Sequence, residues 1–396
     1  MSGFKIAEKI TLPFTGIVDQ ILDALKREKL VEVRSAQQAG LGEGAYQYAI
    51  TSAGIARARE ALERSQYAGP APVPLEVYYN ACKYQARKRF TVSQRIMRQT
   101  LSNLVLSEKT FHRLGPAVNS GASVFMYGPP GNGKTSIARA IGNMILDETI
   151  FIPYAVYVDG QVIKLYDTVN HQLAQNDEGA RKGSETLRVG TRRDPRWVCI
   201  RRPFIVAGGE LTLNDLYLVY DDILKFYEAP FQMKANGGIL LIDDFGRQQV
   251  RPQDLLNRWI VPLENRIDYL SLHNGRKFEV PFDVLLIFST NLPPKDLVDE
   301  AFLRRLRHKI EITDPSFDDY REIFKRVAAA KQIPYNEQGL AYLLQEWYIK
   351  RNRKLRASHP RDLCDHILDI ASYASIEPAM TPEILDRAAQ AYFVEL

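Results

Sequence analysis

Ser123-Val-Phe-Met-Tyr-Gly-Pro-Pro-Gly-Asn-Gly-Lys-Thr-Ser136 is the stretch on which the fold turns. A short apolar strand, Ser123 to Tyr127, runs straight into a glycine loop. The loop runs into Ser136-Ile-Ala-Arg-Ala-Ile141, whose apolar residues have helical spacing. Gly128, Pro129, Pro130, Gly131, Asn132, Gly133, Lys134 and Thr135 fit the phosphate-binding pattern G-x-x-x-x-G-K-[ST], in the strand-to-helix setting that gives the pattern its meaning. Its glycines let backbone N–H groups turn inward around phosphates, and the helix entered at Ser136 presents its positive end to them. On this pattern Lys134 bridges the β- and γ-phosphates of a nucleotide and Thr135 offers its hydroxyl to Mg²⁺. A bare glycine turn has no use for the Lys-Thr pair.

Two further strands complete the pattern. Gly238-Ile-Leu-Leu-Ile-Asp-Asp244 is a buried apolar run that ends in two acids. Paired carboxylates at a strand end are costly unless a cation compensates them, so Asp243 is expected to hold Mg²⁺ through water and Asp244 to polarise an attacking water. Val284-Leu-Leu-Ile-Phe-Ser-Thr-Asn291 ends in an amide suited to orienting that water. The six histidines offer no metal pattern, and His359, Cys364 and His366 are expected on a helical surface. No Ser-His-Asp or Cys-His arrangement has supporting context, which leaves phosphate chemistry.

With these motifs in place, residues from about Leu101 to Leu396 resemble the AAA+ ATPases. The resemblance implies an α/β fold with a P-loop parallel sheet and a C-terminal helical lid, with ATP and Mg²⁺ as ligands. It implies an arginine finger within Glu300-Ala-Phe-Leu-Arg-Arg-Leu-Arg307, on Arg305 with Arg304 as the alternative. It implies a second sensor on Arg361, within Pro360-Arg-Asp-Leu363, and adenine near Leu104-Val-Leu106. Such a finger works from a neighbouring subunit, so a homo-oligomer, a hexameric ring, is expected. Asp244 departs from the family, whose second acid at this point is usually Glu; one methylene fewer implies slow hydrolysis.

Lys134 and Asp243 lie 109 residues apart, more than a minimal core needs. Phe151 to Val158 and Gln161 to Tyr166 read as a hairpin around Asp159-Gly160, and Arg266 to Leu272 and Arg276 to Val280 as a second around His273-Asn-Gly275. Phe204-Ile-Val-Ala-Gly-Gly209 reads as a mobile loop. Insertions at these places resemble MoxR-like and related hairpin-bearing AAA+ proteins, many of which remodel other proteins. The Asp-Asp pair and Ser289-Thr-Asn-Leu-Pro293 also resemble DNA-linked helicase loaders and transposition helpers, and a nucleotide-dependent assembly switch is a third reading.

Residues 1–68 stand apart, closed off by Gly69-Pro-Ala-Pro-Val-Pro74. A helix from about Thr15 to Lys29, strands at Val31 to Arg34 and Tyr46 to Ile50, and a helix capped by Thr51 form a winged-helix pattern. Its ending resembles that of many bacterial winged-helix domains. Residues 1–66 carry nine Lys and Arg against eight Asp and Glu, so this unit is expected to dock a protein client more readily than DNA, whose phosphates call for a basic face. The division expected is 1–68 winged helix, 69–100 basic linker, 101–312 nucleotide-binding domain with an insertion at about 151–235, and 313–396 helical lid.

The chain has 396 residues, 45% hydrophobic and 25% charged, which excludes disordered and fibrous classes. No apolar run approaches the ~18 residues of a membrane helix. The N-terminus lacks the order of a secretory signal, and Cys82, Cys199 and Cys364 make no disulfide framework, so a cytoplasmic, reduced setting is expected. The net charge of +5 is concentrated in two places. Lys83, Arg87, Lys88, Arg89, Arg95 and Arg98 form one basic stretch. Arg181, Lys182, Arg188, Arg192, Arg193, Arg196, Arg201 and Arg202 form the other, taken as a subunit or client contact in preference to a DNA surface.

Overall fold

The computed structural model describes residues 1–36, 43–86, 91–145, 148–174, 194–297 and 300–393. At its centre is a five-stranded parallel sheet in the order β16 (His308–Glu311), β4 (Val124–Tyr127), β15 (Leu285–Thr290), β12 (Ile239–Ile242) and β9 (Phe204–Ala207). Strands β12 and β15 are buried throughout, and both faces of the sheet are covered, which is why they read as unbroken apolar runs. One face packs Leu114, Val124, Met126, Ile137, Ile141, Leu241 and Ile287. The other packs Phe125, Leu240, Ile242, Phe245, Trp259, Leu286 and Phe288. This is the expected α/β phosphate-loop sheet, and four helices beyond it, Phe317–Ala330, Glu337–Leu343, His359–Ala374 and Pro382–Tyr392, share one core as the helical lid.

Several sequence expectations change. Phe204–Ala207 is no loop: it is the edge strand β9, paired with β12 from Phe204↔Ile239 to Ala207↔Ile242. A glycine-ended apolar run has the same local signature in either role, and only the partner strand decides it. The first hairpin forms with Asp159 and Gly160 both at positive φ, 50° and 82°, as a primed turn needs. Its leading strand is split, however, into β5 (Thr149–Pro153), paired with β8 (Trp197–Arg201), and β6 (Ala155–Val158), paired with β7 (Gln161–Lys164). The second hairpin, β13 (Ile267–Ser271) with β14 (Lys277–Pro281), lies where it was expected.

Residues 69–100 are not a linker. Val73 and Pro74 form β3, which pairs with β6 in a second five-stranded sheet completed by β7, β10 (Val219–Asp221) and β11 (Phe226–Glu228). The helix Leu75–Ala86 follows, and its Tyr78 is buried in one core with Ile152, Val156, Val198, Tyr227, Leu270 and Val280. Asn236 donates to the Tyr78 hydroxyl (3.1 Å) and to the Pro281 carbonyl (2.8 Å), fastening this helix to the second hairpin. The helix Leu75–Ala86, strands β5 to β8, β10 and β11 and the second hairpin therefore form one module, whereas β9, within the stretch expected as an insertion, belongs to the central sheet. Val92, Met97 and Leu101 continue the same segment into the core of the main sheet.

Of the second basic stretch, Arg196 chelates Asp194, and Arg202 is buried against Glu148 (2.9 Å) and the Gly237 carbonyl (2.6 Å). Arg202 is thus a structural cation, not a surface one. Arg87, Lys88 and Arg89, and Arg181, Lys182, Arg188, Arg192 and Arg193, lie outside the described residues. His359 and Cys364 are buried in the lid core, contrary to the surface position expected for them.

In residues 1–68 the helix Asp19–Arg27 and strands β1 (Val31–Ala36) and β2 (Tyr46–Ile50) fall where the sequence places them. So does the helix Ser52–Arg64, whose Thr51 accepts from the Gly54 N–H at 3.0 Å. Gly16, at φ 85°, cuts the first of these helices short at its start, and an additional helix, Gly3–Ile10, precedes it. Among the described residues no helix is long and apolar enough to cross a membrane.

If Leu75–Ala86 is part of a packed module, Tyr78→Ala should cost about 3 kcal/mol or more in urea unfolding of the full chain, the range for losing a buried aromatic ring. A linker residue would change stability by less than about 0.5 kcal/mol.

Candidate functional site

The site forms where β4, β12 and β15 end side by side. Tyr127 leads into Gly128, whose φ of 142° and close approach to the Ile312 carbonyl, 2.2 Å from where a Cβ would stand, admit only glycine. Gly131 and Gly133 also have positive φ, 79° and 80°, and Pro130 is exposed at the turn. The helix Lys134–Ile145 then begins.

Lys134 is only 6% exposed. Its ammonium donates to the Gly128 and Pro129 carbonyls, each at 2.9 Å, and to Asn291 Oδ1 at 2.6 Å. Burial holds its pKa below the ordinary lysine value, while the carboxylates of Asp244 and Asp243 oppose that shift. The Asn291 amide donates in turn to Asp244 Oδ1 (3.2 Å). Beside this chain, the Thr135 hydroxyl donates to Asp243 Oδ1 (3.0 Å). The Asp244 N–H donates to Asp243 Oδ1 (3.2 Å), so Lys134, Thr135, Asp243, Asp244 and Asn291, from three separate places in the sequence, are joined in one polar network.

The turn carrying the acids is held from both sides. The Asp243 N–H donates to the Ala207 carbonyl (2.8 Å), the Phe245 N–H to the Ser289 carbonyl (2.7 Å), and the Thr290 hydroxyl to the Phe245 carbonyl (2.6 Å). Asp244 is held in the left-handed region, φ 49°, which costs a non-glycine residue backbone energy, though Asp tolerates it better than most. Gln248 braces the turn: its Nε2 donates to the Asp243 carbonyl (3.0 Å) and its Oε1 accepts from the Gly246 N–H (2.8 Å). Sequence reasoning missed Gln248, since nothing local marks it out.

A cavity of about 400 Å³ opens over this network, in the size range of small-ligand sites. Gly131 to Thr135, Ser136, Asp244 and Asn291 supply polar lining. Leu104, Val105 and Leu106, where the resemblance implies adenine, supply apolar lining, together with Ile323 and Val327 of the first lid helix. Those two are four residues apart, the helical spacing that could have pointed to them. Arg361 lines the cavity from the lid, 3.0 Å from Asp362 Oδ1. Among the described residues the lining includes neither Arg304 nor Arg305. Arg305 instead pairs with Glu264 (2.5 Å), and Arg304 is exposed.

The donors suit the ligands the motif implies. A hydroxyl and two carboxylates are hard oxygen donors, and Mg²⁺ is commonly held by one or two carboxylates together with substrate phosphates. A loop of positive-φ glycines at a helix start, with a buried lysine, suits a phosphate chain.

A family model described as a domain of unknown function (DUF8689) matches residues 316–391, the lid. No curated protein sequence matches the chain. Among solved structures, Thermotoga maritima RuvB, described as a Holliday junction branch migration motor, is 14% identical over 73% of this chain and 68% of that one, with a TM-score of 0.39. NtrX from Brucella abortus in complex with ADP is 14% identical over 72% of this chain and 56% of that one, with a TM-score of 0.43. At these scores the solved structures add nothing to what the chain's own geometry says of its chemistry.

His359 opens the helix that carries Arg361, and its Nδ1 lies 2.9 Å from the Tyr348 hydroxyl. Burial, reinforced by Arg356, pushes its pKa down from 6.5 to about 4. An unfolded chain therefore takes up this proton at a higher pH than the folded one. The stabilisation is complete above pH 6.5 and is lost as pH falls towards 4, by up to about 3 kcal/mol. Urea unfolding at pH 7, 5.5 and 4.5 should follow that slope, and His359→Gln should flatten it.

Proposed function

We propose that this chain is an Mg²⁺-dependent ATPase of the AAA+ type that assembles into a ring, a hexamer by the resemblance, and remodels or assembles a protein partner. The observation that carries the reading is the convergence of Lys134, Thr135, Asp244 and Asn291 on one cavity, with Asp243 hydrogen-bonded to Thr135 beside it. In this reading the loop from Gly128 to Ser136 cradles the phosphates, and Lys134 exchanges the Asn291 and backbone oxygens for β- and γ-phosphate oxygens. Thr135 and, through water, Asp243 would hold Mg²⁺, which would neutralise charge on the phosphates. Asp244 and Asn291 orient the attacking water, and Asp244 takes up its proton. The water oxygen bonds to the γ-phosphorus as the bond from that phosphorus to the bridging oxygen breaks, yielding ADP and inorganic phosphate. Arg361 contacts the γ-phosphate from the lid, and Leu104 to Leu106 with Ile323 and Val327 enclose the adenine. The short Asp244 side chain makes turnover slow.

Arg305 is the finger that acts on a neighbouring subunit. Its absence from the lining of its own cavity agrees with that role, for which it exchanges its Glu264 partner for the neighbour's phosphate. A protein partner is supported by the near-neutral residues 1–66 and by Phe4, Ile17, Ile21 and Ile55, all exposed on that winged-helix-like unit. The burial of Arg202 and the pairing of Arg196 within the chain support the protein reading over the DNA-linked one.

Lys134→Ala should abolish ATP binding in a fluorescent-nucleotide titration; a Lys134→Ala protein that hydrolyses ATP at the parent rate would overturn the assignment. Arg305→Ala should bind ATP as the parent does and hydrolyse it on the order of 10³-fold more slowly. Mixing it with Asp244→Asn should restore part of the activity, because a mixed interface can unite an intact finger with an intact acid. A fully active monomer at every concentration contradicts the ring.

A further inference from the structure

Lid residues 356–358 are bonded directly to the phosphate loop. The Ser358 N–H donates to the Gly131 carbonyl (2.8 Å), and the Ala357 N–H donates to Asn132 Oδ1 (3.2 Å). Gly131 has φ 79°, which favours glycine, and a Cβ there would stand 2.6 Å from Ser358 Oγ, so a side chain would displace that hydroxyl. The other end of the Asn132 amide, Nδ2, donates to Asp314 Oδ1 (2.7 Å). The Arg356 guanidinium donates to that same carboxylate oxygen.

Asp314 stands at the joint between the two parts it fastens. The Ile312 N–H donates to the Tyr127 carbonyl (2.8 Å), so the chain leaving β16 is fixed to the strand that feeds the phosphate loop, while the first lid helix starts at Phe317. Asn132 is 6% exposed, and a buried amide that loses such partners is left unsatisfied. The pair of Asp314 with Arg356 is half-shielded, with side-chain exposures of 27% and 22%.

We propose that Asp314, Asn132 and Arg356 are positioning residues that latch the lid onto the phosphate loop, so that bound ATP leaves only when the latch opens. This inference rests on the reading of the cavity as a nucleotide site. Residues of the phosphate loop line that cavity, and so do Ala357, Ser358 and Arg361 of the lid. The latch joins these two linings where they touch, at Gly131 and Asn132. Arg361 lies five residues beyond Arg356, so an open latch also withdraws the lid arginine from the phosphates.

Release of a fluorescent ATP analogue from the full chain, followed by stopped flow, tests the latch. Hydrogen–deuterium exchange of segment 356–358 is read in parallel. Asp314→Ala and Arg356→Ala should each speed release roughly tenfold or more, the effect of losing a charge-assisted hydrogen bond. The double variant should exceed the larger single one by little, because both arms meet on one oxygen. Exchange at 356–358 should rise in each variant even without nucleotide, and Asp314→Asn, which keeps an acceptor oxygen, should recover part of the slow release. If the parent binds the analogue and both single variants release it at the parent rate, the latch is wrong and the site reading stands. Fully additive effects with unchanged exchange also overturn the latch. If the parent does not bind the analogue, the site reading fails and takes the latch with it. Should Asp314→Ala fail to fold, Arg356→Ala with Asp314→Asn carries the same comparison.

Discussion

The Lys134 ammonium is buried at the end of the central sheet, and a buried cation must be paired. Its partners are the carbonyls of its own loop and Asn291, and Asn291 reaches Asp244. That one charge therefore requires β4, β15 and β12 to end at the same level, with the loop curled back beneath the helix that follows it. The apolar strands supply the driving force and fix the register. The polar strand ends determine which side of the sheet carries chemistry, the rule for open parallel sheets generally.

The surroundings are arranged around that point. The turn at Asp243 and Asp244 is fastened to β9 on one side and β15 on the other, and Gln248 braces it from below, so the strained Asp244 backbone is held by bonds outside itself. The lid adds Ile323 and Val327 to the cavity lining and is bonded to the phosphate loop through Ala357 and Ser358. The inserted module has its own core, built from both hairpins and the helix Leu75–Ala86, and adds no residue to the cavity among those described.

The centre of this arrangement was legible in the sequence because each part is a local signature. An apolar run with a polar end marks Tyr127, Ile242 and Thr290 as strand termini, and the residues after them form the network that the motif implies. The hairpins at Asp159-Gly160 and His273-Asn-Gly275 were legible for the same reason. What escaped depends on distant partners. Phe204 to Ala207 becomes a strand only because β12 lies beside it, and Val73 and Pro74 only because β6 does. A proline-rich stretch looks like a linker until a sheet edge takes it up. Arg202 counted as surface charge until Glu148 and Gly237 enclosed it, and Gln248, Asp314 and Arg356 carry no pattern that sets them apart from other polar residues.

The central claim is that the cavity between the phosphate loop and the lid takes a nucleotide by its phosphates. Calorimetric titration of the parent chain with ATP, ADP and AMP in the presence of Mg²⁺ tests it most directly. The account predicts saturable one-to-one binding of ATP and ADP and much weaker binding of AMP, which lacks the β-phosphate that Lys134 and the loop would hold. Equal affinity for all three, or no saturable binding of ATP, would contradict it.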